Sequence, residues 1–261
     1  MAADPSVTLV VSLAVVAGLV GGCNAETGRE PAAGDPSTSL TQTSPSPSLP
    51  MLDDGPVTPG RYVVVPPAVG WAECSEWAPD CPPEPTHARS LQVEITIPPG
   101  WEAAGSTVIV PRGLDEGSSE GPDGAGLVMG WTTPSAGLNS DPCLPVPHMT
   151  PDIMVGPTVD EFVDAVLAHP SLKVSDAVDV KPGGYRGQFL QLTAPSDISD
   201  CEVWRPFEGG IYAQGRDNLW SIWVIDVDGL RMVVLAEEFA GTPAKDKAEL
   251  RSMVESIRFL P

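Results

Sequence analysis

Four cysteines lie in the body of the chain, at Cys74, Cys81, Cys143 and Cys201. An even number of thiols in an exported domain reads as a disulfide framework, and four thiols allow three pairings. The segment SEWAPD between Cys74 and Cys81 is short, so the expected bridges are Cys74–Cys81 and Cys143–Cys201. Zinc would need closely spaced ligands, yet no C-x2-C occurs and the histidines are scattered. His87 and His148 fall in Pro-rich segments, and His169 sits at the end of an expected helix, where an imidazolium favours the dipole. Each is expected to be a surface or structural residue. Gly117-Ser118-Ser119-Glu120-Gly121 matches G-x-S-x-G, but that motif needs a strand-to-helix elbow and no helix follows Ser119. Asp226-Val227-Asp228-Gly229 begins like a calcium loop, but apolar Leu230 and Met232 follow, so a turn is the better reading. No H-E-x-x-H or P-loop occurs. With no catalytic constellation, the expectation is a non-enzymatic protein without metal or cofactor. Trp71, Trp77, Trp101, Trp131 and Trp204 lie in or beside loops, where they cover a sheet or line a ligand groove.

The fifth cysteine belongs to a different chemistry. Val7 to Val20 is a mostly apolar run of fourteen residues, too short to span a bilayer but suited to an export signal. It leads into Val20-Gly21-Gly22-Cys23. Small residues directly before a cysteine resemble the lipobox of bacterial lipoproteins. That resemblance implies a signal peptide over residues 1–22 and a lipidated Cys23 that anchors the chain on the extracytoplasmic face of the membrane. More than one acyl chain makes such anchoring stable. Residues 23–50, rich in Ser, Thr and Pro and without aromatics, cannot repay ordering entropy and read as a polar tether. Residues 51–261 suit one domain. There 13 basic residues face 31 acidic ones, a formal charge of −18. Such a surface repels nucleic acid and anionic headgroups, and an envelope protein or a glycan is a possible partner.

The domain is organised by Leu219 to Phe239. Asp228-Gly229 predicts a two-residue hairpin turn, which sets Val227 opposite Leu230 and Asp226 opposite Arg231 as a charge pair. One face then carries Trp220, Ile222 and Val224 against Val233 and Leu235. The other carries Leu219, Trp223, Ile225 and Val227 against Leu230, Met232 and Val234. Both faces are apolar, which predicts central strands covered on both sides, with Trp223 buried. Further strands are expected at Gly60 to Val65, Leu91 to Ile97, Thr107 to Val110, Leu127 to Thr132, Val174 to Val180 and Tyr185 to Thr193. Thr158 and Glu161 predict a capping box for a helix ending at His169-Pro170, with Val159, Phe162, Val163, Val166 and Leu167 as its apolar stripe. Thr242 as N-cap and Pro243 as first helical residue open a last helix buried through Leu250, Met253, Val254 and Ile257. This order predicts an α+β fold, an antiparallel sheet with helices packed on its faces.

LQVEITIPPGW, WVIDVDGLRMVVLAEEF and AELRSMVESIRFLP together resemble the PsbP-like α-β-α sandwich, in particular actinobacterial lipoproteins of the LpqN kind. The resemblance covers about Leu91 to Pro261. It implies an envelope protein that binds a partner or ligand, and it supplies no catalytic residues. Two roles are compatible with it: a surface presented at the envelope, or a small-molecule carrier with a pocket between sheet and helix.

Overall fold

The computed structural model describes residues 49–69, 91–104, 108–111, 124–132, 136–143, 151–207, 212–213 and 215–260, all within the unit Pro47–Pro261. Cys23, Trp71, Cys74, Trp77, Cys81, His87, Ser119 and His148 lie outside the described residues.

In chain order the strands are Gly55–Pro56 (β1), Gly60–Val64 (β2), Ala68–Val69 (β3), Gln92–Ile97 (β4), Trp101–Ala104 (β5), Val108–Pro111 (β6), Ala125–Thr132 (β7), Gly137–Leu138 (β8) and Ile153–Met154 (β9). Helix Val159–Ala168 (α1) follows, then Lys173–Val174 (β10), Val178–Val180 (β11), Gly187–Thr193 (β12), Leu219–Val227 (β13) and Leu230–Glu238 (β14). Helix Ala244–Ser256 (α2) and strand Arg258–Leu260 (β15) come last.

The hairpin β13–β14 forms as its turn dictates. Asp228 and Gly229 take φ of 54° and 87°, the left-handed pair that matches strand twist. The side chain of Asp226 accepts the Gly229 N–H at 2.8 Å and closes the turn. Val227 pairs with Leu230, Asp226 with Arg231 and Trp223 with Val234, as expected. The strands are central: β12 flanks β13 and β7 flanks β14 in the order β1-β5-β6-β7-β14-β13-β12-β10. β11 also pairs with β12, and β3 joins β7 in parallel; the other pairings of this sheet are antiparallel. A second sheet runs β15-β4-β2.

Alternate residues of the hairpin feed two cores. Ile225, Val227, Met232 and Val234 pack with Leu250, Met253 and Val254 of α2 and with Val93, Ile95 and Ile97 of β4. Trp220, Ile222, Val224, Val233 and Leu235 pack with Phe162, Val163 and Val166 of α1 and with Trp204 and Phe207. The fold is therefore α+β, a mostly antiparallel sheet with a helix packed on each face.

Several expectations require correction. Asp226 and Arg231 face each other across the strands as expected, but Asp226 serves the turn. Arg231, only 3% exposed, turns along the α1 face instead. Its Nε donates to Thr132 Oγ1 at 2.5 Å and its Nη1 to the carbonyls of Thr158 (3.2 Å) and Gly156. Its guanidinium lies 4.8 Å from the Phe162 ring centroid. Burial pushes this guanidinium down to about 10, so it stays charged at neutral pH. The capping box of α1 forms, with Thr158 accepting the Glu161 N–H, but Leu167 is 43% exposed and falls outside the buried stripe. Pro243, not Thr242, occupies the N-cap of α2. The buried Thr242 hydroxyl is spent elsewhere: it accepts the Phe239 N–H at 2.7 Å and donates to the Gly124 carbonyl at 2.5 Å. The single strand expected from Val174 to Val180 is split into β10 and β11. Ser175 interrupts it, because its Oγ accepts the Gln191 N–H at 2.9 Å in place of a backbone partner.

Candidate functional site

Two places gather side chains capable of chemistry or recognition. The first surrounds His169. Its Nδ1 accepts the Ser171 N–H at 3.2 Å, which leaves Nε2 to donate to the Asn139 carbonyl at 2.9 Å. Both ring nitrogens are committed to the main chain in the neutral form, so no lone pair remains for a base. Asn139 Nδ2 donates to the Arg205 carbonyl at 2.9 Å, and the Arg205 N–H donates to Pro142 O at 2.7 Å. The expected Cys143–Cys201 disulfide is formed beside them. Together these bonds tie the 139–143 segment to the 201–207 segment over the end of α1. The cluster is structural, as expected for His169.

Asp152 completes that tie. It accepts the Ser140 N–H at 2.7 Å through Oδ1 and the Ser140 hydroxyl through Oδ2. The Ser140 hydroxyl, then its N–H, holds this carboxyl below its ordinary range. A lowered folded-state value means that the carboxylate stabilises above the unfolded pKa and loses that contribution as pH falls through the folded one. Asp152→Asn should therefore lower stability at neutral pH and flatten the acid limb of a thermal-unfolding profile, the two proteins converging as pH falls through the folded-state value. An unchanged acid limb would show that the Ser140 contacts carry no linkage.

The second place is a cleft of about 590 Å³ where the Val180–Gly184 segment, Trp223 and the end of α2 meet. Its geometry follows from two glycines. Gly183 and Gly184 take φ of 57° and 92°, which lets Pro182–Gly184 form a tight 3-10 turn. A Cβ at Gly183 would meet the Phe259 ring at 2.8 Å, so the turn rests directly on β15. Tyr185 braces it edge-on against Phe259 at 5.2 Å, and its hydroxyl reaches Asp228 at 3.4 Å. That carboxylate raises the Tyr185 phenol above its ordinary value.

The floor of the cleft is Trp223, which the sequence pattern assigned to the buried interior. It is half-buried, because α2 covers the β7–β14 part of this face and not its far side. The cross-strand row runs Val178, Phe189, Trp223, Val234 through strands β11 to β14. Trp223 and Phe189 lie 5.0 Å apart at 45°, and Val178 at the row's end is 57% exposed. The tryptophans proposed for a groove divide differently: Trp101, Trp131 and Trp204 are buried and cover the sheet. The Trp101 indole N–H also donates to Glu249 at 2.9 Å.

Two cations give the cleft its positive charge. Arg61, Arg186, Lys245 and Lys247 each pair with a carboxylate. Lys181 and Arg258, both exposed and both lining the cleft, have no salt-bridge partner among the described residues. Arg258 Nη1 instead donates to the carbonyls of Glu255 (3.1 Å) and Ile257 (2.6 Å) at the end of α2, which orients the guanidinium. Glu255 is the cleft's acidic side chain. Sequence reading passed over these residues. Nothing local marked Lys181 and Arg258 as a pair.

Among the described residues no cluster of three or more His, Cys, Asp or Glu is placed to hold a metal, and no helix is long and apolar enough to cross a membrane. Neither a protein-family model nor a curated protein matches the chain.

Proposed function

We propose that this chain is a non-enzymatic exported lipoprotein, held at the cell envelope through Cys23, whose domain presents a binding surface on the open end of its sheet. The observation that carries this reading is the row Val178, Phe189 and Trp223, apolar and left uncovered beside an α2 that buries the rest of the face. A partly exposed aromatic pair that runs out to an exposed valine suits recognition better than catalysis. The lipobox-like Val20 to Cys23 and the polar residues 23–50 supply the address and the reach. A helix on each face of the sheet supports the PsbP-like sandwich that belongs to this proposal. The alternative, a small-molecule carrier, is favoured by one observation: the cleft lies between the sheet and α2.

The test is made in cells. Cys23→Ser should move the protein out of the membrane fraction. A photoreactive benzoyl-phenylalanine at Val178 should give envelope adducts, whereas one at Asp164, exposed on α1, should give none. Unchanged fractionation would remove the anchor from the proposal. Equal adducts from both positions, or none from Val178, would remove the surface.

A further inference from the structure

The cleft beside Trp223 carries more information than an apolar patch alone. We infer that it binds an acidic saccharide, with one sugar ring lying on Trp223 and its carboxylate taken by Lys181 and Arg258. The inference rests on this end of the sheet being the working surface.

Charge complementarity selects an anion. The domain is strongly acidic, with 35 Asp and Glu against 14 Lys and Arg in the whole chain. Such a surface repels anions unless a local site is built for them. In the cleft, Lys181 is exposed with no carboxylate partner among the described residues, and Arg258 is held by carbonyls that leave its charge uncompensated. Guanidinium and ammonium groups bind carboxylates through short charge-assisted hydrogen bonds.

The shape of the aromatic floor selects a sugar. Trp223 lines the cleft, partly exposed, with Phe189 tilted 45° against it at 5.0 Å. There is no second ring opposite among the cleft-lining residues, so a flat aromatic ligand would gain no sandwich. A pyranose has an apolar C–H face to lay on one indole and a rim of hydroxyls for the opposite wall. That wall is polar: the Glu255 carboxylate accepts hydroxyl protons, and the Gly183–Gly184 backbone approaches without side chains. Gln191 and Ser221, joined at 3.1 Å, continue the same sheet face with amide and hydroxyl groups for a second sugar residue.

The experiment is calorimetric titration of the intact chain in detergent micelles. The probes are tetragalacturonate, its fully methyl-esterified form, tetraglutamate and inorganic phosphate. Tetragalacturonate should bind and the ester should bind at least about tenfold more weakly, the effect of losing one charge-assisted contact. Lys181→Ala, Arg258→Ala and Trp223→Ala should each weaken tetragalacturonate by about tenfold, while Arg251→Ala, an exposed cation of α2 outside the cleft, should leave it unchanged. Trp223→Phe should retain most of the affinity, which separates ring stacking from loss of fold. Equal binding of the ester would overturn the role of the cations. Equal binding of tetraglutamate or phosphate would overturn the saccharide. No binding of tetragalacturonate would overturn the ligand class while leaving the Val178 adducts, and with them the surface proposal, standing. Adducts failing at Val178 while tetragalacturonate binds would confine recognition to the cleft.

Discussion

Trp220→Ala should lower the unfolding free energy by about 3–5 kcal/mol, the largest effect expected of any single substitution in this domain. The side chain is 0% exposed. Its ring touches Trp204 at 5.7 Å and Phe207 at 5.6 Å, and Phe207 continues the contact to Phe162 of α1 at 6.1 Å. Removing it leaves a cavity bounded by a central strand on one side and rigid rings on the other, neither of which collapses easily. It also strips a hydrogen bond: the Trp220 indole N–H donates to Asn218 Oδ1 at 2.8 Å, inside the core. An acceptor buried without its donor adds to the loss. Trp223→Ala, three residues along the same strand, should cost less, about 2 kcal/mol, because that ring is only partly buried. Urea melts of both variants decide the matter. Equal losses would mean that the two faces of β13 are not covered as described.

Removing the Cys143–Cys201 bridge should cost about 4 kcal/mol, from the closure entropy of a loop this long. The cysteines are 58 residues apart in sequence, and the intervening chain contains α1 and β9 to β12. Without the bridge, the unfolded ensemble gains freedom over that whole segment. The folded state keeps the hydrogen bonds of Asn139 to Arg205 and Pro206 and of Arg205 to Pro142 to hold the two loops together. A Cys143→Ser/Cys201→Ser double variant, melted in urea beside the unaltered chain without reductant, measures this. A difference below about 1 kcal/mol would show that those hydrogen bonds suffice and the unfolded chain is already restricted.

The hairpin was legible because its signals are local and redundant. Asp228-Gly229 fixes the turn, the turn fixes the register, and the register sorts every apolar residue of both strands onto a face. The capping box at Thr158 and Glu161 was legible for the same reason, as two side chains three residues apart satisfy each other's backbone. What could not be read were features decided by distant partners. Trp223 looks like Ile225 in sequence, and only the position of α2 over one part of the sheet makes one a floor of a cleft and the other core. Arg231 looked paired only with Asp226 because the carbonyls of Gly156 and Thr158, more than seventy residues away, leave no trace in its neighbourhood. Thr242 was read as a cap because its true partner, Gly124, lies 118 residues upstream.

The small sheet β15-β4-β2 sets an order of events. β4 pairs on one side with β2, at Val64↔Val93, and on the other with β15, at Phe259↔Val93. Its first neighbour precedes it closely in the chain, whereas its second is made only after the entire main sheet and both helices. Non-local pairings of this kind form late and slowly. A chain that folds from its N-terminal end therefore holds β4 with one bare edge until Arg258–Leu260 arrives, open to pairing with another copy. Because Phe259 also supports the Gly183 turn, the cleft takes shape in that same last step, so any affinity it has for a ligand requires β15 to be in place.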